Sequence, residues 1–138
     1  MTDPALLSAA ELSSLYAARD LSPVEATQAS LDRIERLNPQ LNAFCGVYPE
    51  EALAQARQSE ARWREGRPLS PIDGVPTSVK DLVLARGWPT LRGSRTVDPA
   101  GPWDQDAPSV ARLRAAGRCW SAAPPRRNSA GRASPIRR

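Results

Sequence analysis

Histidine is absent from this chain, and lysine occurs once, at Lys80. Without histidine there can be no Ser-His-Asp or Cys-His mechanism, and most zinc sites are excluded. The two cysteines, Cys45 and Cys119, are far apart and form no CxxC pair, so neither a metal site nor a disulfide framework is indicated. No apolar run is long enough to span a bilayer. The N-terminus carries Asp3 where a secretory signal needs positive charge. A cytoplasmic location is the resulting expectation. Aromatic residues make up only 5% of the chain.

Proline is abundant, with 14 copies in 138 residues, which implies frequent loops, and the 41% apolar fraction suffices for one small core. The net charge of +4 is unevenly spread. Residues 118–138 hold six arginines and no acidic residue, leaving 13 basic against 15 acidic groups in residues 1–117. The body is therefore slightly acidic, and the basic character belongs to the tail.

Local signals order the body. Ser8-Ala9-Ala10-Glu11 reads as a capping box opening a helix that ends near Asp20, with Leu12, Leu15 and Tyr16 at helical spacing. Ser22-Pro23-Val24-Glu25 repeats the box with proline at the first helical position. Val24, Thr27, Leu31 and Ile34 mark one face of that second helix, which Asn38-Pro39 is expected to stop. Alternation at Leu41, Ala43, Cys45 and Val47 predicts a strand. Pro49-Glu50-Glu51 opens a third helix with Ala52, Ala56, Ser59 and Trp63 on one face and Gly66 as its stop. Trp63 reads as a packing residue at the core edge. Asp106 is expected to cap a last helix with Val110 and Leu113 inward and Gly117 as its stop.

Between these helices lies Pro71–Ser94, P-I-D-G-V-P-T-S-V-K-D-L-V-L-A-R-G-W-P-T-L-R-G-S. Val75 to Leu84 reads as a buried strand interrupted by Lys80-Asp81. Buried charges are paired, neutralised or exposed, so this pair needs a reason. Alternation along a strand points Lys80 and Asp81 to opposite faces, which argues against a direct pair. Lysine can lose its proton when buried, whereas arginine effectively cannot, so Lys80 is a candidate base. A solvated surface lysine is the plainer alternative.

G-V-P-T-S-V-K-D-L, G-W-P-T-L-R-G-S and D-A-P-S-V-A-R-L-R-A-A-G, taken together, resemble the N-terminal part of the amidase signature family. S-P-V-E-A-T and R-I-E-R-L-N-P-Q-L-N-A-F ahead of them match how those enzymes begin, and the resemblance covers about residues 6–117. It implies an α/β fold, with helices packed on a mixed β-sheet, and amide hydrolysis by a Ser-Ser-Lys triad without cofactor or metal. Lys80 matches the triad lysine, a role that requires a neutral amine in a dry pocket beside hydroxyls. The two serines belong to a glycine- and serine-rich segment that this sequence does not contain. Ser78 and Ser94 do not match it. Thr77 also spoils an S-x-x-K reading around Lys80.

The resemblance implies a small-molecule amide as substrate, with no nucleic acid or membrane partner. A glutaminase-type subunit of a tRNA-dependent amidotransferase is the alternative. A non-catalytic fragment or small interaction module is the other. As a fragment the chain is expected to fold poorly, with unpaired sheet edges and exposed apolar surface.

The division expected is an N-terminal part of an amidase domain over 1–117 and a disordered basic tail over 118–138. After R-L-R-A-A-G the family runs on into a hydrophobic strand. Codons can be chosen for the tail that, shifted by one supplied base, read A-V-L-V-G-R-T-T-P-P-E-F-G-W-K-G-V-T-D-S, what the family places next. The tail is thus expected to be out of frame after loss of one base near Gly117. Its arginines could instead bind nucleic acid, with salt-dependent affinity. Resequencing the locus decides: the expected outcome is amidase coding resumed in the shifted frame, and an intact frame with no such coding downstream defeats the idea.

Overall fold

The computed structural model describes residues 2–123, with side chains through residue 119. A short 3-10 turn, Pro4–Leu6, leads into α1 (Ala9–Ala18), α2 (Pro23–Leu41), β1 (Gly46–Val47), α3 (Pro49–Arg64), β2 (Pro76–Ser78), α4 (Pro108–Ala115) and β3 (Cys119–Ala123). The strands form one mixed sheet in the order β1-β3-β2. β3 is central, antiparallel to β1 and parallel to β2. With α2 and α3 packed on each other and α3 against β3, this is an α/β arrangement of helices on a mixed sheet, as the sequence leads one to expect.

Both capping boxes form. Ser8 Oγ accepts from the Glu11 N–H while Glu11 accepts from the Ser8 N–H, and Ser22 and Glu25 do the same. Leu12 and Tyr16 of α1, Thr27 and Leu31 of α2, and Ala52, Ala56 and Ser59 of α3 are buried.

Four local expectations need correction. α2 is not stopped by Asn38-Pro39 but runs through Pro39 to Leu41. Beyond its end the Asn38 side chain bonds both the N–H and the C=O of Phe44, so the chain leaving the helix is closed by a side-chain amide. The strand expected over Leu41–Val47 shrinks to Gly46–Val47, because Leu41 belongs to the helix. The strand expected over Val75–Leu84 ends at Ser78, and the chain turns where Leu82 and Val83 both donate to the Lys80 carbonyl. Asp106 caps nothing: α4 starts after Ala107 without a side-chain cap, and Asp106 instead receives the Arg86 N–H and the Arg114 guanidinium.

The tail expectation is also altered. Cys119–Ala123 pair with strands on both sides as β3, so regular structure continues past 117. Residues 124–138 lie outside the described residues.

The core has two apolar parts. Leu12, Tyr16, Ala26 and Val75 form one, with Trp63 packed at its edge; Val79, Ala85, Trp88 and Val110 form the other. Beside the first, where Trp63 donates to the Asp73 carbonyl, lies an ion pair with a buried carboxylate. Arg62 reaches Asp73 through Nε at 2.7 Å and Nη2 at 2.6 Å, and Asp73 also accepts the Leu69 N–H. Asp73 is fully buried. Burial by itself pushes its carboxyl up, but the Arg62 hydrogen bonds and the Leu69 N–H outweigh that and hold it below the ordinary value.

Neighbouring backbone is tied to this pair. Trp63 donates to the Asp73 carbonyl, Tyr16 donates to the Gly74 carbonyl, and Gly74 N–H donates to the Gly117 carbonyl. Gly117 has φ +82°, and a Cβ there would lie 2.6 Å from Asp73 Cγ. Only glycine allows the end of α4 to close this tightly on the carboxylate.

Asp73→Asn should therefore lower stability by about 2 kcal/mol in a denaturation experiment, since a neutral amide with one acceptor oxygen replaces a carboxylate that accepts from both Arg62 and the Leu69 N–H. The carboxylate contributes fully above the ordinary aspartate value of about 3.9 and its contribution drains away as pH falls through the depressed native value. Acid unfolding of Asp73→Asn should accordingly lack that part of the pH dependence. An unchanged midpoint and acid profile would show that the pair is not structural.

Candidate active site

Lys80 lies two residues beyond the carboxyl end of β2. β2 and β3 run parallel, so their carboxyl ends share one edge of the sheet, and Gly46 pairs with Ala123 at that same edge. In open α/β sheets the crevice outside the carboxyl ends of parallel strands is where ligands bind. Alternation continues past the strand: Val79 and Asp81 are buried, while Ser78 and Lys80 are exposed. The expectation that Lys80 and Asp81 face apart agrees with this burial pattern.

The dry pocket expected around Lys80 is not formed by the described residues. The side chain is exposed, and among the described residues no hydrogen bond or ion pair reaches its amine. The physical reason is that a short turn beyond a three-residue strand has protein behind it, at Val79 and Asp81, and none of the described residues in front. The clefts of about 440 and 650 Å³ lie along α2, and Lys80 lines neither.

Asp81 has a different role from any the sequence suggested. It is 5% exposed. Its Oδ1 accepts the Leu91 N–H at 2.7 Å and its Oδ2 the Gly93 N–H at 3.1 Å. Two backbone donors thus answer the question of how a carboxylate is tolerated in an apolar run. The one available signal was the cost of the buried charge; its partners, ten and twelve residues away, leave no mark in the local pattern.

The loop between 85 and 107 is braced at its two ends. Asp106 joins Arg114 to the backbone of Arg86, and Ala107 N–H bonds the Leu84 carbonyl. Trp88 stacks on Tyr48 with ring centroids 4.4 Å apart and donates to Glu51 at 2.9 Å. Burial, then the nearby Asp81 charge, push the Cys45 thiol up. Burial and the acidic Glu51 and Asp81 push up the Tyr48 hydroxyl. Both groups stay protonated at neutral pH, so neither supplies an anionic nucleophile. Ser94 Oγ is engaged with Thr96 Oγ1 at 2.8 Å. Among the described residues no cluster of Cys, Asp and Glu could hold a metal ion, and no helix is long and apolar enough to cross a membrane.

Comparison with known proteins gives consistent relatives. The Amidase family model matches residues 25–121. A glutamyl-tRNA(Gln) amidotransferase subunit from Salinispora arenicola is 47% identical over 117 residues, 85% of this chain and 24% of the relative. The corresponding protein of Chloroflexus aggregans is 41% identical over 117 residues, again 85% of this chain and 24% of the relative. Among solved structures, native peptide amidase from Stenotrophomonas maltophilia superposes with a TM-score of 0.78 at 32% identity, covering 87% of this chain and 25% of that one. The chain therefore spans about a quarter of the length of the relatives it matches.

Because Lys80 is the sole lysine, an amine-selective acylating reagent should modify the folded chain at Lys80 and otherwise only at the N-terminal amine. Lys80→Ala should leave stability within about 0.5 kcal/mol, as for an exposed side chain without partners. Protection of Lys80 from the reagent, or a large loss of stability, would contradict the exposed placement.

Proposed function

The chain belongs to the amidase signature family, and from that premise we propose that it supplies the base, Lys80, of a Ser-Ser-Lys site hydrolysing the carbon-nitrogen bond of a small amide. In that reaction one serine adds to the carbonyl carbon. The second serine relays the proton of the first to the lysine amine, and the proton is returned to the departing nitrogen. Water then releases the acid from the acyl-serine. The lysine must enter the cycle neutral, which requires that its surroundings withhold carboxylates and exclude water. The observation that carries the reading is an unpaired lysine just beyond the carboxyl end of a parallel strand, in the stretch G-V-P-T-S-V-K-D-L. Neither serine of the triad, nor donors for an oxyanion, can be assigned in this sequence, so the chain by itself is expected to be inactive. The site needs no cofactor in this scheme, and a cytoplasmic setting is part of the same proposal.

A second reading is favoured by the curated relatives, which are named as amidotransferase subunits. In it the amide is glutamine, and the ammonia released feeds a tRNA-dependent amidotransferase. The third reading is a non-catalytic piece or interaction module.

The test mixes this chain with the Stenotrophomonas maltophilia peptide amidase shortened by the quarter that this chain matches. The chain alone should turn over no carboxamide. The mixture should hydrolyse one, and Lys80→Ala should reduce its rate by about 10²–10⁴-fold. Turnover by the chain alone, or an unaffected Lys80→Ala mixture, would overturn the proposal. A preference for glutamine over other carboxamides would favour the second reading, and no association at all the third.

A further inference from the structure

Asp81 and Lys80 are adjacent and of opposite charge, yet they do not pair. Both oxygens of the Asp81 carboxylate are committed to the backbone N–H groups of Leu91 and Gly93. Those groups belong to a loop in which Arg92 and Gly93 take φ +56° and +66° and the Ser94 N–H closes back on the Leu91 carbonyl. Backbone N–H groups of a tight turn can converge on one side and make a concavity suited to an anion, as the Leu91 and Gly93 N–H groups do here. Here the anion is a side chain of the same chain. The carbonyl of Lys80 meanwhile receives the N–H groups of Leu82 and Val83. One residue therefore joins two turns: the tight turn at 80–83 and the loop at 91–94.

We propose that Asp81 is a positioning residue for Lys80, clamping loop 91–94 against the turn that carries the amine while leaving that amine without a carboxylate partner. This rests on Lys80 being the base. An acid that merely balanced the lysine charge would point at it and favour the ammonium. An acid spent on backbone donors fixes the geometry without pairing with the amine.

The test needs no turnover, so its failure is separate from failure of the amidase reading. In the intact chain the Leu91 and Gly93 amides should exchange with solvent about tenfold or more slowly than their loop neighbours, as bonds to a charged acceptor require. Asp81→Asn, left with one acceptor oxygen, should remove the protection of at least one of the two amides while leaving the Cys119 amide protected. With isotope-labelled lysine the chain gives one side-chain lysine signal, which should move in Asp81→Asn and return toward its original position in Asp81→Glu. Unprotected Leu91 and Gly93 amides in the unaltered chain would overturn the clamp, even if the variant fails to fold. A lysine signal that stays put when those amides are freed would overturn the positioning role. Loss of Cys119 protection in the same variant would assign Asp81 to the fold at large.

Discussion

The Arg62–Asp73 pair holds together the parts of this chain that are far apart in sequence. Arg62 is near the end of α3, and Asp73 is in the turn before β2. Gly117, at the end of α4, closes onto the same carboxylate. From there the backbone follows directly: Gly74 bonds the Gly117 carbonyl, and the Cys119 N–H bonds the Val75 carbonyl. These are the contacts that start β3 alongside β2. A buried ion pair contributes little net free energy compared with well-packed apolar residues, but removing one partner is costly. Its role is best understood as specifying one arrangement of helix, turn and strand.

The polar pair also has a chemical consequence for its surroundings. Cys119 is fully buried beside it, and burial, reinforced by the Asp73 charge, raises its thiol to about 12. A thiol in that state is an inert packing group. The reactive potential of the described residues lies elsewhere, at the carboxyl edge of the sheet, where an exposed amine emerges between two buried neighbours. The parallel pairing of β2 with β3 makes that edge, and Asp81 gives it a defined shape.

Residues whose partners are close in sequence were legible. Ser8 with Glu11 and Ser22 with Glu25 mark helix starts because the bonds they make span three residues. Trp63 sits at the core edge as its helical face requires, meeting Tyr16 edge-on. Pro39 misled: it did not end the helix, and the exit is closed after Leu41 by Asn38, whose side chain reaches six residues ahead. Asp106 misled in the same way: a good capping residue found a better partner in Arg114 across the helix it was expected to start. In Val75–Leu84 an apolar run interrupted by Lys80-Asp81 serves two structures, a short strand and a turn feeding the second core cluster. An apolar run records burial, and burial alone does not distinguish a strand from a buried turn.

Residue type and short spacing were enough to read the helix starts, the family and which amine is chemically unusual. How far each strand extends, what Asp81 binds and that Lys80 faces outward emerged from the folded chain alone. Those outcomes depend on backbone donors and acceptors brought together from distant positions, as with Gly74 and Gly117, and a backbone N–H has no letter in the sequence.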